Sequence, residues 1–223
     1  IEIRRTLLGP EHRDTLVSMS TLGVVLERQK RYDEGEKILR EALSTARRVL
    51  GDEDPDTLNI ANNLANMLQR LEKYEEAGEI HRTTYEARRR VLGPESIDTL
   101  KSANNLANVY WSRGELKQAE QLHRETLEIR RRVLPEGSLD LPSSMHNLAN
   151  VYRAEGRFAE SEALYREAFE VRRRLLGENH SLTMDDMYSI SCVAAAQGHR
   201  EQALEWLRRA VDHGFKDYPD EPI

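Results

Sequence analysis

The sequence predicts an all-α protein: a right-handed superhelical solenoid of antiparallel helix pairs, without strands. Three observations predict it. Leu8-Gly9, Leu50-Gly51, Leu92-Gly93, Leu134-Pro135 and Leu176-Gly177 recur at a constant step of 42 residues. Each step carries two apolar stripes at helical spacing, separated by a short turn. Small residues recur at fixed places within the step, where two helices must approach closely. A period of this kind marks one helical hairpin that cannot bury both of its stripes alone and therefore stacks on copies of itself.

Residues 1–8 (IEIRRTLL) align with residues 43–50 and their equivalents, so they read as the end of a truncated preceding repeat. The repeats that follow occupy 9–50, 51–92, 93–134, 135–176 and 177–213, the last being short and terminal-like. Residues 214–223 (GFKDYPDEPI) have no helical period and read as a tail, so both ends look cut from a longer polypeptide. The first helix of each repeat is expected to start at Asp14, Asp56, Asp98 or Asp140, or at the Thr that follows in most repeats. A side-chain oxygen there satisfies a free backbone N–H at the helix start.

The buried stripe of the first helix reads Leu16, Met19, Leu22, Gly23 and Leu26 in repeat 1, then Leu58, Ala61, Leu64, Ala65 and Leu68, then Leu100, Ala103, Leu106, Ala107 and Tyr110. The second stripe reads Ile38, Leu39, Ala42 and Leu43, and later Leu122, Thr126 and Leu127. Between the stripes stand Gly114, Gly156 and Gly198, suited to a left-handed helix end. Lys30 and Glu72 replace that glycine in the first two repeats, so those turns are expected to be looser. Close helix approach is expected at Gly23, Ala65, Ala107, Ala149 and Ser191, and again at Gly35, Ala77, Ala119, Ser161 and Ala203.

Composition narrows the function. With 33 Lys+Arg against 39 Asp+Glu the net charge is −6, which argues against a general nucleic-acid binder. A single cysteine, Cys192, cannot form an internal disulfide, which points to a reducing compartment. No apolar run reaches the ~20 residues of a membrane helix, and the chain reads as cytoplasmic. No phosphate loop, nucleophile elbow, HExxH or CxxC occurs, so no enzyme activity, cofactor or metal is expected.

The pattern resembles the tetratricopeptide repeat. Its succession of Leu, small, bulky, small, bulky and Ala is met by Leu106, Ala107, Tyr110, Ala119, His123 and Thr126. The sixth departs from it, Ala being kept at Ala42, Ala168 and Ala210 only. The long step, with "LGPE" and "DT" at its start and "NNLA" in its first helix, resembles the subtype found in kinesin light chains and in many signalling proteins. The resemblance implies a protein–protein interaction scaffold whose first helices line a concave groove. It places Asn62, Asn66, Asn104, Asn108, His146 and Asn150 on that groove, with Arg70, Lys101, Trp111 and Arg153 around them.

Asn is both donor and acceptor, so a ladder of it suits the backbone of an extended peptide. Arg28, Arg70, Lys101 and Arg153 are offset on this surface only by Glu27 and Asp185, so an acidic segment is the expected partner. Trp111, alone among polar neighbours, reads as an aromatic anchor, or else as packing against a helix edge. Asn63, Asn105 and Asn147 read as braces between backbones rather than as ligand contacts.

The runs Arg88-Arg89-Arg90, Arg130-Arg131-Arg132 and Arg172-Arg173-Arg174 end helices and read as solvated faces. Glu86, Glu128 and Glu170 are expected to pair with Arg90, Arg132 and Arg174. His81 and His123 share a column and read as partly buried structural residues. His12 and His180 read as solvent-facing loop residues. Cys192 has no His–Asp pattern beside it.

A second reading stays open at this stage. The array would then be the regulatory or sensory arm of a larger signalling enzyme, such as a kinase, a nucleotide-switch ATPase or a caspase-like peptidase, with its own fused catalytic domain as main ligand. A third, a consensus-derived array, is disfavoured by the alternation of Leu39, His81 and Tyr165 in one column.

Overall fold

The computed structural model describes residues 2–215. They form eleven helices: α1 (Glu2–Leu8), α2 (Arg13–Arg28), α3 (Tyr32–Leu50), α4 (Pro55–Arg70), α5 (Tyr74–Leu92), α6 (Ile97–Ser112), α7 (Leu116–Val133), α8 (Asp140–Ala154), α9 (Phe158–Leu176), α10 (Ser181–Ala196) and α11 (Arg200–Asp212). No strand occurs among the described residues. The chain divides into two compact units, Ile1–Glu115 and Leu116–Ile223. Of the expected tail, only Gly214 and Phe215 are described; Phe215 stacks on Tyr188 at 5.1 Å, and the remainder lies outside the described residues.

The caps of four first helices fall two residues before the expected column, whereas α8 starts on it, at Asp140. His12, Asp54, Ser138 and His180 each accept the backbone N–H two residues on, at 3.2, 2.9, 3.3 and 3.2 Å. Ser96 takes the same place with extended backbone and no side-chain bond. Asp14, Asp56 and Asp98 therefore sit inside the first turn, where an acid favours the positive helix end without capping it. His12, exposed as expected, and half-buried His180 also cap their helices.

The turns within the hairpins are alike, which corrects the expectation of looser ones. Lys30 and Glu72 adopt φ 59° and 58°, beside 73° at Gly114 and 74° at Gly156. The N–H after Lys30 reaches Leu26 O at 2.9 Å, as the N–H after Gly114 reaches Tyr110 O at 2.8 Å. Register and packing force two L-residues into a conformation that strains them by ~1–2 kcal/mol each.

In unit 1, Leu16, Leu39, Leu64 and Leu68 are buried with Met67 and Val109 in one apolar cluster. Each such leucine contributes roughly 1.5–3 kcal/mol relative to exposure. The small residues are required: a Cβ at Gly23 would stand 2.5 Å from Leu39 Cγ, and one at Gly35 2.3 Å from Met67 Cε. α2 packs on α4 and α4 on α6, in addition to their own hairpin partners. The second helices α3 and α5 are held further apart, with a depression of about 610 Å³ lined from both of them. The first helices thus form the inner row.

In unit 2, Tyr165, Phe169, Met187, Ile190 and Val193 form the buried cluster, capped by Trp206 edge-on to Phe169 at 5.1 Å. Ser161 donates to Ala149 O at 2.8 Å, a contact that only a small residue at each position permits.

Successive hairpins are joined by a clasp that corrects the reading of the arginine runs. The first arginine of each run is buried: Arg88, Arg130 and Arg172 are 5%, 4% and 4% exposed. Arg88 donates to Asp98 O at 3.3 Å and to Ser102 Oγ at 2.8 Å. Arg130 meets Asp140 O at 3.2 Å and Ser144 in the same way. Arg4 on α1 meets Asp14 O at 3.1 Å and Ser18, which gives α1 the role of a second-helix end. Where Ala46 replaces the arginine, the serine is replaced by Ile60, and both are buried in the apolar cluster. Only the later arginines of each run are on the surface. Their pairing also differs from expectation: Glu86 binds Arg82, Glu170 binds Arg173, and Arg90 binds Glu53.

Candidate functional site

The inner row of unit 1 carries most of the expected groove residues. Asn62, Asn66, Asn104 and Asn108 lie half-buried on α4 and α6, while Arg70, Lys101 and Trp111 are exposed. Their spacing of four residues along each helix sets them one turn apart on one face.

The asparagine brackets are not free on both ends. Asn105 Nδ2 donates to Asn62 Oδ1 at 3.0 Å and, at a longer 3.5 Å, to Asn66 Oδ1. Asn63 Nδ2 donates to Ser20 Oγ at 2.9 Å. Asn63 and Asn105 thus brace first helices side chain to side chain, where the sequence suggested bonds to backbone. With these carbonyl oxygens accepting from Asn105, what Asn62 and Asn66 have left to offer is their NH₂ groups, which are donors.

Of the two acids expected to offset the basic residues here, Glu27 does so directly. Arg70 Nε pairs with Glu27 Oε1 at 3.0 Å. Lys101 forms no ion pair among the described residues, nor does Arg153 in unit 2. Trp111 is 43% exposed at the end of α6.

Sequence reasoning missed one feature of this face. Between α2 and α4 lies a depression of about 360 Å³, lined by Val17, Thr21 and Val24 on one side and Asn59 and Asn62 on the other. Val17 and Asn59 share the column of Lys101, and Val24 shares that of Asn66. The period alone located them, but their apolar or neutral character hid them from a search for charge.

In unit 2 the expected residues are His146, Asn150 and Arg153 on α8. His146 Nδ1 lies 2.8 Å from Asp186 Oδ1, and the same oxygen accepts from Arg172 Nη1 at 2.7 Å. Asp186 is fully buried, and its Oδ2 has no hydrogen-bond partner. The His–Asp pair joins α8 to α10, the helix that also carries half-buried Cys192. Tyr165 OH donates to Asn150 Oδ1 at 2.6 Å. Burial pushes the Tyr165 phenol up to about 12. Its ring meets His146 edge-on at 5.0 Å.

The buried histidines are structural in their surroundings. His81 and His123 are 0% and 1% exposed, and desolvation, with Arg88 or Arg130 nearby, lowers each to a pKa of about 4. Neither ring nitrogen of His81 has a partner. Among the described residues no group of three His, Cys, Asp or Glu is placed to hold a metal. No helix is long and apolar enough to cross a membrane.

A family model described as tetratricopeptide repeat matches residues 14–77, 56–132 and 140–213. The fold is similar to that of a kinesin-light-chain-type protein of nearly identical TPR-like repeats from Podosopora anserina, at 22% identity. That match has a TM-score of 0.79 and covers 91% of this chain and 96% of that one. BtubC (BKLC) from P. vanneervenii is similar at 21% identity and TM-score 0.80, over 100% of this chain and 91% of that one. The quorum sensor NprR from B. thuringiensis is similar at 16% identity and TM-score 0.71, over 89% of this chain and 53% of that one. No curated protein sequence matches the chain.

Proposed function

Because this chain belongs to the tetratricopeptide-repeat family, we propose that it is a non-catalytic scaffold gripping an extended, acidic segment of a partner protein along its first helices. The observation that carries the reading is the internal pairing of the asparagine ladder. Asn105 occupies the carbonyl ends of Asn62 and Asn66, so that stretch of the inner row offers N–H donors. Donors of this kind fit peptide carbonyls and carboxylates, whatever side chains flank them.

Lys101 and Arg153 add positive charge that no ion pair among the described residues neutralises, while Arg70 is half committed to Glu27. Val17, Val24 and exposed Trp111 give the face apolar footholds among its amides. Affinity on such a surface comes from a few desolvated contacts rather than from area.

The test is fluorescence anisotropy with short labelled peptides that alternate Ala with Glu, Gln or Lys. The acidic peptide is expected to bind in the micromolar range and to weaken with salt, since charges are screened over ~10 Å at 0.1 M. Lys101→Glu and Arg153→Glu are expected to lose the preference for the acidic peptide, and Trp111→Ala to weaken all of them. Equal binding of the three peptides, unmoved by salt, would overturn the acidic assignment.

A further inference from the structure

Two side chains set the junction of α8, α9 and α10 apart from the other hairpin junctions. The column of Asp186 otherwise holds Ser18, Ile60, Ser102 and Ser144, and that of Tyr165 holds Leu39, His81, His123 and Leu207. Stacking of the hairpins is achieved elsewhere without this carboxylate and without this phenol. Both point at groove residues of α8.

The bonding fixes which way those groove residues face. A carboxylate already held by the Arg172 guanidinium only accepts hydrogen bonds, so the proton between Asp186 and His146 belongs to His146 Nδ1. In the neutral imidazole Nε2 is then an acceptor. His146 keeps 20% of its side chain exposed, against none for Asp186. One turn further on, the buried Tyr165 donates to the carbonyl end of Asn150, which leaves Nδ2 of Asn150 as a donor. Acceptor and donor thus stand four residues apart on one helix face.

We propose that His146 and Asn150 form an acceptor–donor pair that takes the N–H and C=O of a single residue of an extended polypeptide, with Asp186 and Tyr165 as the positioning residues that set its polarity. An extended residue presents its N–H and C=O to the same edge, as it does in an antiparallel sheet. The pair therefore imitates an edge strand. It selects for a backbone N–H at that place, and a proline or N-methylated residue there is refused. The inference rests on the reading of the first-helix face as a peptide site.

The experiment uses the whole chain and two readouts. The first needs no ligand: nitrogen chemical shifts of His146, measured at about pH 8.5, above the ordinary imidazole range. The Nδ1–H tautomer is expected in the parent protein. In Asp186→Ser, which restores the residue of the other junctions, the ring is expected to revert to Nε2–H. The second readout is affinity for the blocked Glu–Ala peptide and for copies N-methylated at one residue each. Asp186→Ser and Tyr165→Phe are each expected to weaken the parent peptide about 5- to 10-fold. One N-methylated copy is expected to bind the parent protein and Asp186→Ser equally weakly. An Nε2–H ring in the parent protein, or peptide binding unchanged in both variants, overturns the inference and leaves the groove assignment standing. Failure of the parent protein to bind the peptide at all overturns the groove assignment, and this inference with it.

Discussion

Arg88 on α5 donates through Nη1 to Ser102 Oγ on α6 at 2.8 Å, and both side chains are buried. The same clasp recurs at Arg130 and Ser144, and its absence at Ala46 and Ile60 is itself paired. Removing the arginine alone leaves the serine and a backbone carbonyl dry beside a void. Arg88→Ala is therefore expected to cost about 2–4 kcal/mol, whereas Arg89→Ala, on the surface, stays within about 0.5 kcal/mol. Adding Ser102→Ile to Arg88→Ala copies the Ala46–Ile60 solution and is expected to recover at least about half of the loss. Hydrogen exchange across α5 and α6 measures all three. Independent, additive effects would show that the two columns are not coupled.

The turn residues give a second test. Lys30 and Glu72 hold φ 59° and 58° in turns where the other hairpins use glycine. Lys30→Gly and Glu72→Gly are each expected to stabilise by about 0.5–1 kcal/mol, the relief of left-handed strain exceeding the added chain entropy. Gly114→Ala is expected to destabilise by a similar amount. Urea midpoints read the sign directly, and a loss of stability on Lys30→Gly would contradict the account of these turns.

Much of this fold was legible in the sequence, and the reasons for the failures are local. The step of the Leu-Gly pairs and the spacing of Leu16, Leu58 and Leu100 located the helices, because burial is periodic and the period survives substitution. The run of three arginines misled because charge was read without depth. Periodicity puts Arg88 in the column of buried Ala46, and that signal was present but outweighed by composition. The helix caps were misplaced because Asp14 and Thr15 resemble caps more than His12 does. In the candidate site, spacing placed Asn62 and Asn66 on one face of α4, and Asn150 in the column of Asn66. It gave no sign that Asn105 or Tyr165 would occupy their carbonyl ends, because those bonds join different helices.

The buried histidines predict a pH dependence. Desolvation pushes His81 and His123 down to about 4, below the ordinary imidazole value of about 6.5. The unfolded chain therefore binds more protons between these limits, and stability is lost as pH falls from about 6.5 toward 4. Above that window the contribution is constant. His81→Leu, which copies Leu39 and removes two unpartnered nitrogens, is expected to stabilise at neutral pH by about 1–3 kcal/mol and to flatten the acid decline. Thermal melts of the parent and His81→Leu across this range check the slope. An equal slope in both proteins would mean that His81 is protonated without penalty.

The most direct measurement of the central claim is the nuclear magnetic resonance spectrum of the asparagine side-chain amides during titration with the short Glu–Ala peptide. The NH₂ donors left on Asn62 and Asn66 are expected to move with the peptide, together with Asn108 and Asn150, which share the column of Asn66. Amides on the second helices, such as Gln121, are expected to stay in place. Asn66→Ala and Asn108→Ala should weaken acidic and neutral peptides alike, since backbone is what they hold. Shifts confined to the second helices, or full binding by the Asn66→Ala Asn108→Ala double variant, would contradict the assignment of the first-helix face as the binding surface.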